Sequence, residues 1–244
     1  MAFQRVGILS IGEMGYHWAR LLASHGVEVL TYTKGRSEVT RKRAENAGAR
    51  CVPSMARLVS QSDLVVSVVV PSGAKRVAAK VAKALVKAER KDFLFLDANA
   101  TSPMTAREIE RLLSPASANF VDGCIIGSAA KVGKGTVVYA SGPQAARVRA
   151  LEESGFSIRV LGPEIGQASA FKIVYAGLTK GLQGLFVELL IGARKFGLLD
   201  EILKGTNSTD KQTGSRELIK QLIQQPALVM IATHDIALGD MEQQ

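Results

Sequence analysis

Disulfide and metal chemistry have little to work with in this chain. Its 244 residues include two cysteines, Cys51 and Cys124, and three histidines, with no ligand spacing among them. Two isolated cysteines make neither a disulfide framework nor a zinc motif; they suit a reducing cytoplasm as small core residues, and no metal site is expected. Aromatics are 5% of the residues, with a single tryptophan. No basic helix carries interleaved aromatics, which argues against a nucleic-acid partner. No uninterrupted apolar run reaches the ~18–20 residues of a bilayer span, so no membrane partner is expected. The first residues, Met1 to Arg5, lead straight into a strand and do not read as a signal peptide.

What is present is apolar and basic. Hydrophobic residues make up 47% of the chain, enough for one large domain or one domain with a smaller companion. The net charge is +9, but from Leu198 onward four Lys/Arg stand against seven Asp/Glu, leaving +12 on the preceding body. That excess suits a phosphorylated small molecule and equally a solvated basic surface.

Apolar runs alternate with amphipathic ones. Residues 5–11, 27–33, 63–70, 93–99 and 119–126 read as buried strands, and "MGYHWARLLASHG", "SEVTRKRAENAG", "GAKRVAAKVAKALVKA" and "SPMTAREIERLL" as the helices between them. Ser102 followed by Pro103 predicts a helix start. "GTVVYASG" and "SIRVLG" flank a helical "PQAARVRALEES". The pattern predicts an α/β fold, a doubly wound, mainly parallel Rossmann sheet over residues 1–163. Residues 166–197 then run without proline or strand break. As one helix they extend about 45 Å and are apolar on most sides, which calls for burial by a second domain or a partner subunit. The expectation is an interdomain helix over 164–197, through which the chain forms a homodimer, and a short C-terminal segment over 198–244.

The chemistry begins at Ser10-Ile11-Gly12-Glu13-Met14-Gly15, which follows a strong strand and opens an amphipathic helix. This is the context that a dinucleotide fingerprint G-x-G-x-x-G requires, with serine at the first glycine's place. Gly12 would let the backbone approach a pyrophosphate, and Gly15 would let the helix pack closely on the sheet. Ser10 is expected to make the turn with a negative φ. The end of the second strand separates the cofactors, since a carboxylate there holds the ribose of NAD and a cation the 2′-phosphate of NADP. Thr33-Lys34-Gly35-Arg36-Ser37 has no acid. Lys34 and Arg36, helped by Thr33 and Ser37, favour NADP (NADPH) over NAD.

Several blocks, in order, resemble the β-hydroxyacid dehydrogenase family, relatives of 3-hydroxyisobutyrate and 6-phosphogluconate dehydrogenases. "GILSIGEMG" resembles its N-terminal block, "VVVPSG" (68–73) and "DANATSP" (97–103) its strand ends beside the cofactor, "FVDGCIIGSAAKVGKGT" (120–136) its substrate block, and "GQASAFKIVYAGLTKG" (166–181) the helix of its catalytic lysine. The similarity is greatest to a branch with a C-terminal domain of unknown function and extends to about residue 203. It implies a hydride-transferring oxidoreductase acting on a small hydroxyacid, carbonyl or imine. Lys172 would be the general acid/base, working near neutral pH only if its pKa falls from ~10.4. Val69, Val70, Pro71 and Asn99 would lie along the cofactor, Asn99 also acting with Lys172 at the catalytic centre, and Thr101, Ser102, Asp122, Gly123, Ile126 and Gly127 along the substrate. Tyr175 and Ala176 stand where the family commonly has asparagine; Tyr175 is either a substrate-orienting group or core packing.

The tail changes vocabulary. "LLDEILKGTNSTDKQTGSRELIKQLIQQPALVMIATHDIALGDME" resembles the ATPase domain of MutS-type mismatch-repair proteins, with Asp200-Glu201 in the Walker B place and His234 in the γ-phosphate-sensing place. The chain has no G-x-x-x-x-G-K-[ST] loop to hold the phosphates. A junction near residue 198 would cost the dehydrogenase most of its helical lid. The alternative function is therefore a dinucleotide-binding module without turnover.

Overall fold

The structure, a computed structural model, describes residues 3–90 and 92–198. Asp200, Glu201 and His234, the residues of the expected ATPase-like tail, lie outside the described residues. The chain divides into two units after Leu178.

The first unit is built on eight strands: β1 (Arg5–Leu9), β2 (Glu28–Thr31), β3 (Ala49–Cys51), β4 (Leu64–Ser67), β5 (Phe93–Asp97), β6 (Ala118–Ile126), β7 (Val137–Ser141) and β8 (Ser157–Gly162). Their order is β3-β2-β1-β4-β5-β6-β7-β8, and every neighbouring pair is parallel except β6 with β7. The helices are α1 (Glu13–Ser24), α2 (Glu38–Asn46), α3 (Met55–Gln61), α4 (Ala74–Ala88), α5 (Pro103–Leu113) and α6 (Gln167–Ala176). This is the expected mainly parallel Rossmann sheet.

Strand alternation sorts the core into two layers. Leu94 and Leu96 of β5 join Trp18 and Leu22 of α1 and Phe156 on one face. Phe93 and Phe95 join Leu58 of α3, Val81 and Leu85 of α4 and Ile109 of α5 on the other. Strand order reverses between β1 and β4, so a crevice opens beyond their carboxyl ends, where open α/β sheets bind ligands. At that edge Leu9, Ser67, Asp97, Asp122 and Ser141 lie in register across five strands. Four polar side chains thus sit in one row across neighbouring strands, all of them buried.

Local detail departs from the expectation in places. Residues Ala145–Ser154 are helical as expected, in the 3₁₀ form. Neither β3 nor α3 was anticipated; each is too short to show a period. The long helix is interrupted: α6 passes through a π-helical turn, Gly177–Gly181, into α7 (Leu182–Lys195). Separately, the stretch Gln167–Lys195 is long and apolar enough to cross a membrane by length and composition alone, with mean hydropathy 1.2 over 18 residues. It holds no uninterrupted apolar run of that length, since glycines, polar residues and the charged Lys172, Lys180 and Glu188 break it.

Within the second unit, Ala193 is the buried residue of α7. Leu182, Leu185 and Leu189 are 59, 57 and 61% exposed. The burial all round that such a composition calls for is not supplied by the described residues.

Candidate nicotinamide-dinucleotide site

The turn from β1 into α1 is held by its own backbone. Ser10 has φ +80°, so the expected negative φ is incorrect: the serine adopts the left-handed conformation that a first glycine normally supplies, at a cost on the order of 1 kcal/mol. Gly15 is required by packing, because a Cβ there would run into the Ser10 carbonyl oxygen. Gly12 is different. A Cβ on it would meet nothing nearer than Ser10 Oγ at 3.9 Å, so the protein's own packing does not demand glycine, and the space it leaves is a cradle that a side chain would fill. Serines cap α2, α3 and α5 through Ser37, Ser54 and Ser102, whereas no side chain caps α1. Its first amides are presented at the crevice, the geometry that suits a pyrophosphate. Ile11 is buried, Met14 half-buried and Glu13 exposed in the first turn.

The loop after β2 closes through Arg36 N–H to the Thr33 carbonyl at 2.9 Å, with Gly35 at φ +76°. Lys34 and Arg36 are exposed and form no ion pair among the described residues. Their helpers are otherwise engaged. Ser37 Oγ accepts from Thr40 N–H at 3.3 Å as the α2 cap, and Thr33, 8% exposed, turns its hydroxyl to Cys51 Sγ at 3.5 Å. The two cations face outward here with Ser37, and of the four residues only Thr33 is buried.

Asn99 ties two strand ends together. Its Oδ1 accepts from Val69 N–H at 2.6 Å, and its Nδ2 donates to Ser67 Oγ at 3.0 Å and Asp97 Oδ1 at 2.5 Å. With every polar atom occupied and the residue buried, Asn99 shapes the crevice wall and is a less direct contact than its sequence position implied. Val70 and Pro71 are exposed at the rim. Burial pushes the Asp97 carboxyl up to about 7, against the Ser67 and Asn99 hydrogen bonds, with the Asp122 charge adding to the rise. Asp97 Oδ2 and Thr101 Oγ1 are buried and have no hydrogen-bond partner among the described residues. Ser102 caps α5 through Thr105 N–H at 3.1 Å.

The substrate block divides in two. Asp122 is buried and accepts from Gly166 N–H and Ser169 N–H, both at 3.0 Å, and from the Ser169 hydroxyl at 2.6 Å. Gly123 is demanded by the sheet, since a Cβ would sit 2.6 Å from Leu96 Cδ1. Both residues are buried and Asp122 is turned to the start of α6, so the resemblance alone carries their placement along the substrate. Ile126 is half-buried and Gly127, at φ +128°, is exposed, so these two reach the edge. Lys172 Nζ donates to the Ile125 carbonyl at 2.6 Å, one residue before them. Tyr175 lies beside Phe171, ring centroids 6.2 Å apart, and Phe171 packs on Tyr139 at 4.4 Å. Burial pushes the Cys124 thiol up to about 12, although the Lys172 charge opposes this; the thiol is an inert core group, whereas Cys51, at the end of the edge strand β3, is exposed and not the core residue expected.

Residues 5–154 match the NAD-binding domain of 6-phosphogluconate dehydrogenase. The chain belongs to that family. Its cofactor class is therefore a nicotinamide dinucleotide, and the chain is of the dinucleotide-dependent oxidoreductase type. The "uncharacterized 28.5 kDa protein in 7S RNA 5′ region" of Methanothermus fervidus is 34% identical over 206 residues, 84% of this chain and 77% of that protein. A conserved protein of unknown function, described as structurally similar to 3-hydroxyacid dehydrogenases, superposes with a TM-score of 0.73 at 31% identity, covering 89% of this chain and 81% of the other. An imine reductase variant from Myxococcus stipitatus in complex with NAD+ gives a TM-score of 0.71 at 17% identity over 100% of this chain and 86% of its own. The last likeness is one of fold.

Sequence reasoning missed Ser67, Asp97, Ser141 and Ser169. Each is a small polar residue in or beside an apolar run, and only strand register and the return of α6 bring them together.

Proposed function

We propose that the protein is an NADP-dependent oxidoreductase transferring hydride between the nicotinamide and a small hydroxyacid, carbonyl or imine substrate, with Lys172 as general acid/base. The observation that carries this reading is the hydrogen bond from Lys172 Nζ to the Ile125 carbonyl, 2.6 Å. It holds an amine beside the exposed end of β6, at the same carboxyl edge of the sheet as the Ser10–Gly15 turn.

Bound, NADPH supplies the hydride. The chain does the rest. Amides of the Gly12–Gly15 turn hold the pyrophosphate, and the empty position at Gly12 gives it room. Lys34 and Arg36 take the 2′-phosphate, their charges being unpaired with any carboxylate among the described residues. Val69, Val70 and Pro71, fixed through Asn99, form the wall along the nicotinamide ribose. Thr101, Ser102, Ile126 and Gly127 bound the substrate, and the unpartnered Thr101 hydroxyl is available to it. Lys172 gives a proton to the oxygen or nitrogen that gains negative charge, and takes it back in the reverse direction. Rate comes mainly from holding donor and acceptor in line. Tyr175, at the edge of the aromatic row, orients the substrate.

In this reading residues 1–163 are the cofactor domain and 164–197 begin a helical one, which a second copy of the chain covers to form a homodimer. The exposed Leu182, Leu185 and Leu189 support that contact. The free thiols suit a reducing compartment, and the reading places the protein in the cytoplasm.

Fluorescence titration tests the cofactor: NADPH is expected to bind at least tenfold more tightly than NADH. A screen of small aldehydes, keto acids and cyclic imines for NADPH oxidation tests the reaction. Lys172→Ala should abolish turnover and retain cofactor affinity. Absence of turnover across the screen, in a protein that binds NADPH, would favour the binding module instead.

A further inference from the structure

We propose that Asp122 is a positioning residue for Lys172: it caps α6 from beneath and sets the register at which that helix lies on β6. The inference rests on the reading of Lys172 as the acid/base, and it concerns a residue otherwise assigned to substrate.

The start of α6 is unusual in drawing its cap from other elements. Gly166, at φ +102° and packed against Pro103, has no side chain to cap the helix. The amides of Gly166 and Ser169 donate to Asp122 Oδ2 and that of Ala168 to Ser141 Oγ, each at 3.0 Å. Gln167 N–H reaches the Glu164 carbonyl at 3.4 Å. The four amides that a helix start leaves open are thereby satisfied, three of them by side chains of β6 and β7. Ser141 Oγ also donates to Asp122 Oδ2 at 3.2 Å, and Ser169 Oγ to Oδ1 at 2.6 Å. Asp122, Ser141 and Ser169 are all at most 1% exposed. A carboxylate at this end also complements the helix dipole.

The second grip lies three residues further along both elements. Ser169 binds Asp122, and Lys172 binds the carbonyl of Ile125. Strand and helix are therefore fixed at two points, and two points determine both translation and rotation. A slip of one residue would move α6 by about 1.5 Å and turn Lys172 by about 100°, taking its amine off the edge where Ile126 and Gly127 emerge.

Removing the cap tests this, with the reactivity of Lys172 as a readout that needs no substrate. Limited acetylation by acetic anhydride, followed by peptide mass spectrometry, gives the labelling rate of Lys172 relative to exposed Lys134. In Asp122→Ala the rate should rise at least fivefold. In Asp122→Asn it should stay within twofold of the parent, because one amide oxygen still accepts from Gly166 and Ser169 and the amide nitrogen can donate to Ser169 Oγ. Cys124, buried on the same strand, should remain closed to iodoacetamide throughout. Unchanged labelling in Asp122→Ala, equal release in Asp122→Asn, or opening of Cys124 in step with Lys172 would each overturn the proposal, the last by showing simple detachment of α6. Should Asp122→Ala fail to fold, the Ser141→Ala/Ser169→Ala double variant decides: a twofold or greater rise supports the register role and no rise refutes it. A wild-type protein that reduces nothing in the substrate screen would defeat the proposed reaction while leaving the labelling result intact.

Discussion

Gly12→Ala separates cofactor binding from folding. The backbone there has φ −73° and ψ −164°, which alanine adopts without strain, and the added Cβ meets no protein atom within 3.9 Å. Two stability effects oppose each other. Restricting the unfolded chain stabilises by about 0.4–1 kcal/mol, and alanine is a poorer N-cap than glycine by a similar amount. The melting temperature should therefore move little, by a net change within about 1 kcal/mol. The same methyl group occupies the space through which the pyrophosphate approaches the amides of α1. Hydrogen bonds to a charged group contribute about 1.5–3 kcal/mol each, so losing two costs on the order of 3–6 kcal/mol, a factor of at least a hundred in Kd. Isothermal titration with NADPH, beside a thermal melt of both proteins, reads the two quantities. NADPH affinity within threefold of the parent in a normally folded Gly12→Ala protein would refute the cradle.

Other outcomes follow from the same geometry. Gly15→Ala should lower the melting temperature on its own, since the new Cβ meets backbone and not a movable side chain, with a destabilisation of about 1–3 kcal/mol. Lys34→Ala/Arg36→Ala should lose tenfold or more in NADPH affinity and leave NADH affinity unchanged; an equal loss for both coenzymes would place the 2′-phosphate elsewhere. Asp97, raised from 3.8 to about 7 by burial, binds its proton more tightly folded than unfolded, so between those pH values the native state holds more protons. Its contribution to stability should thus be full below about pH 4 and decline as pH rises to about 7, by up to roughly 4 kcal/mol. Asp97→Asn should flatten that part of a urea-denaturation pH profile, and an unchanged slope would contradict the assignment. Leu185→Glu/Leu189→Glu should shift sedimentation from dimer to monomer, whereas a parent protein already monomeric would remove the proposed contact.

How far the sequence foretold this molecule depended on the range of the interactions involved. The strands β1, β4 and β5 were legible because each is a continuous apolar run ending at a turn or cap. The helix α4 was legible because its alanines, valines and leucine recur at helical spacing above a row of lysines. The three-residue β3 was not, since its exposed Arg50 breaks any pattern. The left-handed Ser10 was missed because serine ordinarily avoids that conformation. At the proposed site, Lys34 and Arg36 stand out in the sequence as two cations with no acid between them, and their role towards a 2′-phosphate rests on that reading. Asp122 entered only through the resemblance, and its bonds to α6 were not legible, because the amides that it holds lie 44 and 47 residues away.

A crystal structure with NADPH bound tests the central claim most directly. The account predicts the pyrophosphate against the Gly12–Gly15 amides, the 2′-phosphate between Lys34 and Arg36, and the nicotinamide facing Lys172 Nζ. A coenzyme bound away from the Ser10–Gly15 turn, or one whose nicotinamide points away from Lys172, would contradict it.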